Sequence, residues 1–394
     1  MFKLPWLSSI ASNCRLRLST TRNQFSVTIP TQLPPHFTSY SFTRSSNFRS
    51  MSSSSSIGEI PKTHKVIQFH ENSESLDVLK YEDVAVPEIG DDDVLVKNKY
   101  AGVNFIEAYF RKGIYPSEKP YILGREASGV IAKVGKNVTN LKVGDHIAYL
   151  SGKTFAQYTK YSSKSNFLKL DSNVSDEKLK LYAASLLQGL TALTFINESY
   201  NVQEGDYILV TAAAGGVGLL LTQLISKVKK AHVIAQASTD EKLESAKRAG
   251  AEYFLNSSKL SADEQVAKIL EITNGKGVHA SFDSIGKDTA ELSLAAIARK
   301  GTFVTFGNAT GPIPPLALNR LSAKNLKVTR PQLFGFVVTP DEYQHYTSWL
   351  FKLIDDGTLK INVFKTYPLA DYKLAAADLE GRKTSGKLVL EIPH

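Results

Sequence analysis

The chain has 394 residues, 42% of them hydrophobic, and a formal net charge of +9; this is enough sequence for two domains with cores of their own. Its single cysteine, Cys14, excludes a disulfide within the chain, and no run approaches the roughly 18 consecutive apolar residues that span a bilayer. Six of the 47 basic residues lie in 1–58, which contains no Asp or Glu. The remaining 41 basic residues are balanced by 38 acidic ones, so the globular part is not strongly basic.

Residues 1–58 are rich in Ser, carry scattered Arg and lack acidic residues. This composition is typical of a mitochondrial transit peptide, and an ordinary disordered extension is the alternative. Met51 lies near the end of the tract, and a start at this position gives a cytosolic form. We therefore expect a leader over 1–58 and a mitochondrial protein, with a cytosolic form from Met51 as an alternative.

Three segments follow the leader. Short strands and turns are predicted over 59–187, and from 188 to 326 strands alternate with helices of about ten residues. Such alternation is the pattern of βαβ units in a parallel sheet. The last segment, 327–394, returns to mixed structure. The sequence therefore predicts an α/β chain in which the parallel sheet occupies the middle segment.

The turn at 212–218 is the most informative motif. The apolar run YILV at 207–210 precedes AAAGGVG at 212–218, and apolar residues then recur at helical spacing up to Val228. A strand, a small-residue turn and a helix form a site for a dinucleotide pyrophosphate, because glycines permit close approach and the helix N-terminus offers free N–H groups. Ala213 replaces the first glycine of G-x-G-x-x-G, so a tight turn without a ligand is the alternative. The predicted contacts are Gly215, Gly216, Val217 and Gly218.

Beyond Gly218, the predicted strands are 232–237, 253–255, 278–282 and 302–306, and the predicted helices are 240–248, 262–273 and 288–298. A doubly wound sheet binds its ligand at the carboxyl ends of its strands. The loops at 212–217, 238–242, 283–286 and 307–308 therefore form the predicted site.

The end of the strand at 232–237 indicates which cofactor is used. NAD enzymes usually carry an Asp or Glu there, which accepts hydrogen bonds from the ribose 2′-OH. This strand ends instead in Ser238 and Thr239, and Lys242 follows. Hydroxyls and an ammonium suit a 2′-phosphate, so the sequence favours NADP(H). Capping of the helix that begins at Asp240 is the alternative role of the two hydroxyls.

Several further motifs carry a family resemblance. They are AGVNFIEAY at 101–109, GREASGV at 124–130, VGDHI at 143–147, FDSIG at 282–286, TFGN at 305–308, RPQL at 330–333 and GKLVL at 386–390. Because these motifs occur in this order, the chain resembles the zinc-free quinone oxidoreductase (zeta-crystallin-like) branch of the medium-chain dehydrogenase/reductase superfamily. The resemblance extends from about residue 65 to the end of the chain. The resemblance is strongest to the fungal NADPH quinone oxidoreductases.

The resemblance implies a GroES-like β-rich catalytic domain and a Rossmann cofactor domain with a doubly wound parallel sheet. The catalytic domain is then discontinuous, with 59–187 and 327–394 joined around a cofactor domain of 188–326. Relatives are mostly homodimers joined at the edge of the cofactor sheet, which lies here near 326–329. The zinc members of the superfamily have a Cys ligand where this chain has Asn104 and a His ligand where it has Arg125. Since zinc needs a convergent set of Cys, His or carboxylate ligands, we expect no metal.

The same resemblance implies the site residues. Tyr109 and Asn104 line the nicotinamide end as the catalytic pair, with Tyr109 shaping the pocket and donating a hydrogen bond. The alternatives are a half-buried aromatic for Tyr109 and a side chain that holds its own turn for Asn104. The resemblance also implies that Arg330 approaches the cofactor, with an interdomain salt bridge as the alternative. The remaining implied cofactor contacts are Thr194, Ser257, Ser284, Phe306, Gly307 and Asn308.

The expected activity is hydride transfer from NADPH to a quinone without zinc. Because quinones and enones both present a carbonyl conjugated to an unsaturated carbon, reduction of an alkenal or enone is an alternative. A third alternative, of a different class, is a stress protein that binds A/U-rich RNA. The sequence shows no RNA-recognition motif with paired aromatics.

Overall fold

The structure is a computed structural model that describes residues 59–394. Its first part is rich in β-structure, as expected for 59–187. The elements are β1 (Thr63–Phe69), β2 (Lys80–Ala85), β3 (Asp93–Val103), α1 (Ile106–Arg111), β4 (Tyr121–Ile122), β5 (Glu126–Val134), β6 (His146–Leu150), β7 (Tyr158–Ser162) and β8 (Phe167–Lys169).

The middle part alternates helices and strands. It comprises α2 (Asp176–Thr194), β9 (Tyr207–Val210), α3 (Gly216–Gln223), β10 (His232–Ala237), α4 (Asp240–Ala249), β11 (Tyr253–Asn256), α5 (Ala262–Ile272), β12 (Val278–Asp283), α6 (Ala290–Ala296), β13 (Ile297–Thr305) and β14 (Lys327–Thr329). The last part adds α7 (Pro340–Asp355), β15 (Val363–Pro368), α8 (Tyr372–Glu380) and β16 (Lys387–Glu391).

The β-rich part and the end of the chain share one sheet. Its strands lie in the order β15-β16-β3-β5-β6-β8, and β7 also pairs with β3. The C-terminal strand β16 runs antiparallel to β3, with Leu388 opposite Val103. A buried cluster that includes Phe69, Phe155 and Leu390 fills the space behind this sheet. The chain therefore returns to its first domain, which places the GKLVL motif beside the AGVN motif.

The middle part forms a six-stranded parallel sheet in the order β11-β10-β9-β12-β13-β14. Its central strands are short apolar runs buried on both faces, as central parallel strands are. The order reverses at β9, so a crevice opens at the carboxyl ends of β9 and its neighbours. Local caps fix the helices: Ser261 and Glu264 form a capping box at α5, and Gly250 ends α4 in a left-handed conformation.

The predicted domain borders need correction. Lys327–Thr329, assigned to the catalytic segment, form β14 and pair with β13 in the parallel sheet. Helix α7 also packs on the cofactor side, where Tyr346 and Leu350 are buried with Leu190 of α2. The border near 187 falls inside α2. These contacts depend on long-range packing of apolar helix faces, which a change in local pattern does not reveal.

One helical stretch among residues 59–394, Asp176–Ser199, is long and apolar enough to cross a membrane by length and composition. Of its apolar window, 72% is buried inside the protein. It packs against β3, β5 and α7 and accordingly serves as a core helix.

Candidate active site

A cleft of about 700 Å³ lies between the parallel sheet and the strands of the first domain. Its wall includes four cationic side chains, and no Asp or Glu of the described residues lines it. An excess of fixed positive charge in a concave site attracts an anionic ligand. The four cations are Arg125, Lys242, Arg330 and Arg382.

The glycine turn forms one wall of the cleft. Strand β9 ends at Val210, and α3 begins at Gly216 with Gly215 as its N-cap and no side-chain hydrogen bond to the cap. A Cβ at Gly218 would lie 2.3 Å from the carbonyl oxygen of Ala212, so a side chain here is excluded by backbone. The free N–H groups at this helix start form a cradle that suits a pyrophosphate. All four predicted turn residues, 215–218, line the cleft.

Ser238, Lys242 and Ser257 meet at the carboxyl ends of β10 and β11, where they line the same cleft. The Lys242 Nζ lies 3.4 Å from Ser238 Oγ and donates to the carbonyl oxygen of Arg382 at 2.8 Å. Burial lowers the pKa of Lys242, and the neighbouring Arg382 charge lowers it further. Two cations and two hydroxyls therefore converge where a 2′-phosphate would lie.

Thr239 does not belong to this group, which corrects one predicted contact. It is the N-cap of α4, its Oγ1 accepts the backbone N–H of Lys242 at 3.3 Å, and it does not line the cleft. The capping alternative accounts for Thr239, since the N-cap side chain must turn back onto the helix. Asp240 is also directed elsewhere, because its carboxylate accepts from Asn256 Nδ2 at 2.6 Å.

Tyr109 lies on α1 and reaches across to the other domain. It is 7% exposed, and its phenolic oxygen accepts the backbone N–H of Asn308 at 2.8 Å. Because Asn308 is the donor, the hydroxyl proton of Tyr109 remains available to a ligand. Burial raises the pKa of Tyr109 to about 12, so the group is a neutral donor. Asn308 itself takes part through its backbone and does not line the cleft.

Asn104 lines the cleft, but both polar atoms of its side chain have protein partners. Its Nδ2 donates to Gly102 O at 3.2 Å and to Glu126 Oε1 at 2.8 Å. Its Oδ1 accepts from Lys387 Nζ at 2.7 Å and from Gln188 Nε2 at 3.3 Å. With both amide hydrogens engaged, Asn104 has no donor left for a substrate oxygen. The structure therefore places Asn104 as a support of the cleft wall.

A fully buried ion pair underlies that support. Lys387 Nζ lies 2.6 Å from Glu126 Oε1, and the side chains are 2% and 0% exposed. The other carboxylate oxygen of Glu126 accepts the backbone N–H of Leu187 at 2.7 Å. Burial lowers the pKa of Lys387, and the Glu126 charge opposes that shift.

The loops after β12 and β13 complete the cleft. Ser284, Phe306 and Gly307 line it, and a Cβ at Gly307 would meet the carbonyl oxygen of Ser284 at 2.0 Å. Arg330 Nη1 donates to Thr305 Oγ1 and to the Gly307 carbonyl, each at 3.1 Å. Arg330 therefore stabilises the 305–307 turn. It forms no salt bridge with any described residue, so the interdomain salt bridge considered as its alternative role is not present among residues 59–394.

Thr194 is a second correction. It is fully buried in α2, and its Oγ1 donates to the carbonyl oxygen of Leu190 at 2.8 Å. Thr191, one turn earlier, lines the cleft in its place. Positions three apart on a helix lie about 60° from each other around the axis. This rotation turns Thr191 towards the cleft and Thr194 into the protein interior.

Sequence reasoning missed Gln188, Glu126, Arg382 and Lys387. Arg382 and Lys387 lie more than 100 residues beyond their partners Lys242 and Glu126 in sequence, so local patterns carry little signal for them. Lys387 stands within the GKLVL motif, and Glu126 within GREASGV. A charged residue inside an apolar strand motif is the signal that could have found both.

Within residues 59–394, no group of three or more His, Cys, Asp or Glu side chains is placed to hold a metal ion. The positions where zinc relatives have Cys and His ligands are Asn104 and Arg125, and both line the cleft.

The fold and the cleft define a two-domain oxidoreductase of the medium-chain dehydrogenase/reductase type. The alcohol dehydrogenase GroES-like domain family matches residues 90–171, and the zinc-binding dehydrogenase family matches 216–352. The probable quinone oxidoreductase of Schizosaccharomyces pombe is 43% identical over 77% of this chain and 90% of its own length. The 2-haloacrylate reductase of a Burkholderia species is 33% identical over 79% of this chain and 94% of its own.

A solved structure shows the same arrangement. Escherichia coli quinone oxidoreductase complexed with NADPH aligns with a TM-score of 0.78 at 34% identity, covering 83% of this chain and 99% of that one. The chain therefore belongs to the quinone oxidoreductase family of the medium-chain dehydrogenases/reductases.

Proposed function

We propose that this chain is a zinc-independent NADPH:quinone oxidoreductase. The observation that carries the proposal is the cleft with four cations and no described carboxylate in its wall, built on a glycine turn at the carboxyl ends of β9 and β10. The E. coli relative, whose structure holds NADPH, has the same fold. NADPH is therefore the cofactor that this cleft suits.

The residues present fit that cofactor. The 215–218 turn would hold the pyrophosphate, and Ser238, Lys242, Ser257 and Arg382 would hold the 2′-phosphate. When bound, NADPH supplies the hydride. The protein orients the acceptor against aromatic walls, limits the access of water and presents the Tyr109 hydroxyl proton to an acceptor oxygen.

The test is oxidation of NADPH by the purified chain with 9,10-phenanthrenequinone, repeated with NADH and followed by absorbance. We expect turnover with NADPH and a kcat/KM for NADH at least about tenfold lower, because two cations lose their phosphate partner. Equal rates with the two cofactors would contradict the NADPH assignment. Binding of NADPH without turnover would contradict the quinone assignment.

A second candidate is the reduction of an enone or alkenal by the same hydride transfer. The specific support is the relative named 2-haloacrylate reductase, since an acrylate holds a C=C bond conjugated to a carboxyl group. Turnover of an alkenal and a quinone by one preparation separates the two. A higher kcat/KM for the alkenal would favour the second candidate.

We further propose a homodimer and a mitochondrial location. Strand β14 is the edge of the six-stranded sheet, and its Val328 is 38% exposed; an unpaired edge of this kind suits pairing with a second copy. Light scattering should give twice the chain mass, and Val328→Lys should give the monomer. The leader composition of 1–58 supports import, which the location of a fusion to the full chain, compared with one lacking 1–50, would test.

A further inference from the structure

Arg125 differs from the other three cations of the cleft. Lys242 contacts Ser238 and the carbonyl oxygen of Arg382, and Arg330 is bonded to the 305–307 turn. Arg125 belongs to the first domain and immediately precedes β5, which begins at Glu126. It therefore supplies positive charge to a part of the wall that the predicted phosphate contacts do not occupy.

An aromatic wall holds the Arg125 guanidinium. Its central carbon lies 4.3 Å from the ring centre of Phe110, and Nη2 donates to the hydroxyl of Tyr121 at 2.6 Å. The same wall continues towards the catalytic phenol, because Tyr115 packs on Phe110 at 5.7 Å and on Tyr109 at 5.3 Å. Tyr109 and Arg125 both line the cleft, and the rings of Tyr115 and Phe110 connect them, so one acceptor in the cleft can contact both.

The donors of Arg125 are mostly unused. Its Nε is buried without a hydrogen-bond partner, and within residues 59–394 its guanidinium forms no salt bridge. Glu107 is close enough for the Arg125 charge to lower its pKa, but no hydrogen bond joins the two, and Glu107 Oε1 is also unpartnered. A partly buried cation without a bonded anion is costly, so an anionic ligand that reaches the Nη atoms of Arg125 from the cleft gains a charge-assisted hydrogen bond.

Asn104 and Tyr109 of the same wall offer an anion less. The amide hydrogens of Asn104 are engaged by Gly102 and Glu126, and Tyr109 offers a single proton. Resting on the proposed function, we propose that Arg125 binds an anionic substituent of the electron acceptor, so that the cleft selects conjugated carbonyl compounds bearing a carboxylate or sulfonate.

The test compares two acceptors that share one ring system, 1,2-naphthoquinone and 1,2-naphthoquinone-4-sulfonate. The full chain, Arg125→Gln and Arg125→Lys are assayed with NADPH for kcat/KM, and NADPH affinity is measured by fluorescence. Arg299→Gln is the matched control, because Arg299 is exposed and lies outside the cleft. The quantity compared between variants is the ratio of kcat/KM for the sulfonate to kcat/KM for the unsubstituted quinone. This comparison cancels the difference in intrinsic reactivity between the two acceptors.

We expect Arg125→Gln to lower kcat/KM for the sulfonate about 10- to 100-fold more than for the unsubstituted quinone, the range for a hydrogen bond to a charged group. Arg125→Lys should keep part of the wild-type ratio of kcat/KM for the sulfonate to kcat/KM for the unsubstituted quinone. Added salt should lower this ratio in the wild type. Arg299→Gln should leave the ratio unchanged.

Equal losses for both acceptors, or none, would overturn the proposal, and so would a loss of NADPH affinity that matches the loss of turnover. Failure of the proposed function is a separate result. It would appear as the absence of wild-type turnover with the unsubstituted quinone.

Discussion

The backbone N–H of Asn308 donates a hydrogen bond to the phenolic oxygen of Tyr109 across 199 positions of sequence. It joins α1 of the first domain to the loop that follows β13 in the cofactor sheet. The bond fixes the direction of the Tyr109 oxygen and leaves its proton free. This one hydrogen bond thus joins the two walls of the cleft and orients the Tyr109 hydroxyl so that its proton can be donated to a ligand.

Tyr109→Phe removes that oxygen. We expect kcat with a quinone to fall about 3- to 10-fold, the value of one hydrogen bond. Unfolding stability should also fall, because the partly buried N–H of Asn308 loses its acceptor. Steady-state kinetics and urea unfolding measure the two effects. Tyr81→Phe, at an exposed position outside the cleft, should change neither; unchanged kinetics in Tyr109→Phe would contradict the role given to this hydroxyl.

Lys242→Ala removes one of the two cations that we propose bind the 2′-phosphate. We expect the NADPH-to-NADH ratio of kcat/KM to fall about tenfold or more, since only NADPH carries that phosphate. Lys247→Ala lies on the same helix at an exposed position and serves as the control. A fall that is equal for both cofactors would show that Lys242 supports the loop without selecting the cofactor.

Gly218→Ala tests the close approach at the glycine turn. Alanine favours helices, yet its Cβ would lie 2.3 Å from the Ala212 carbonyl oxygen. We expect a loss of about 1–3 kcal/mol in unfolding free energy and weaker NADPH binding. At Gly335 an added Cβ meets nothing within 4 Å, so Gly335→Ala should be tolerated. Wild-type stability in Gly218→Ala would mean that the turn relaxes.

Lys387→Met leaves Glu126 buried without its cation. We expect a loss of about 3–5 kcal/mol in unfolding free energy, and recovery of much of it when Glu126→Gln is added. Lys65→Met breaks an exposed ion pair with Asp83 and should have a much smaller effect. If the double variant is as unstable as Lys387→Met alone, packing rather than charge explains the loss.

Stability should depend on pH through Glu107. Burial raises the pKa of Glu107 to about 7, although the Arg125 charge opposes the shift. The folded protein therefore binds more protons than the unfolded chain from about pH 4 to 7, and stability falls as pH rises through this window.

Glu107→Gln removes that titration. We expect the variant to match the wild type at about pH 4 and to exceed it at pH 8 by up to roughly 3 kcal/mol. Urea unfolding across this range is the measurement, with the exposed Glu71→Gln as control. Parallel pH profiles for the wild type and Glu107→Gln would contradict the assignment.

The sequence predicted the features that depend on residues close together in the chain. Alternating apolar runs predicted the strands of the parallel sheet to within a few residues at most ends, and the small residues of 212–218 marked the turn because only such residues fit there. The strand predicted at 302–306 instead begins at Ile297, directly after α6. The pattern there was blurred because Arg299, Lys300 and Gly301 interrupt the apolar run inside the strand.

By itself, the sequence determined the α/β class, the glycine turn and the polar end of β10, where Ser238 and Lys242 stand without a carboxylate at the strand tip, since each follows from residues close together in the chain. Tertiary structure decided which side chains meet. It placed Arg382 beside Lys242 and Lys387 on Glu126, turned Thr194 away and left Arg125 with free donors. These outcomes depend on helix phase and long-range packing, which no single stretch of sequence encodes.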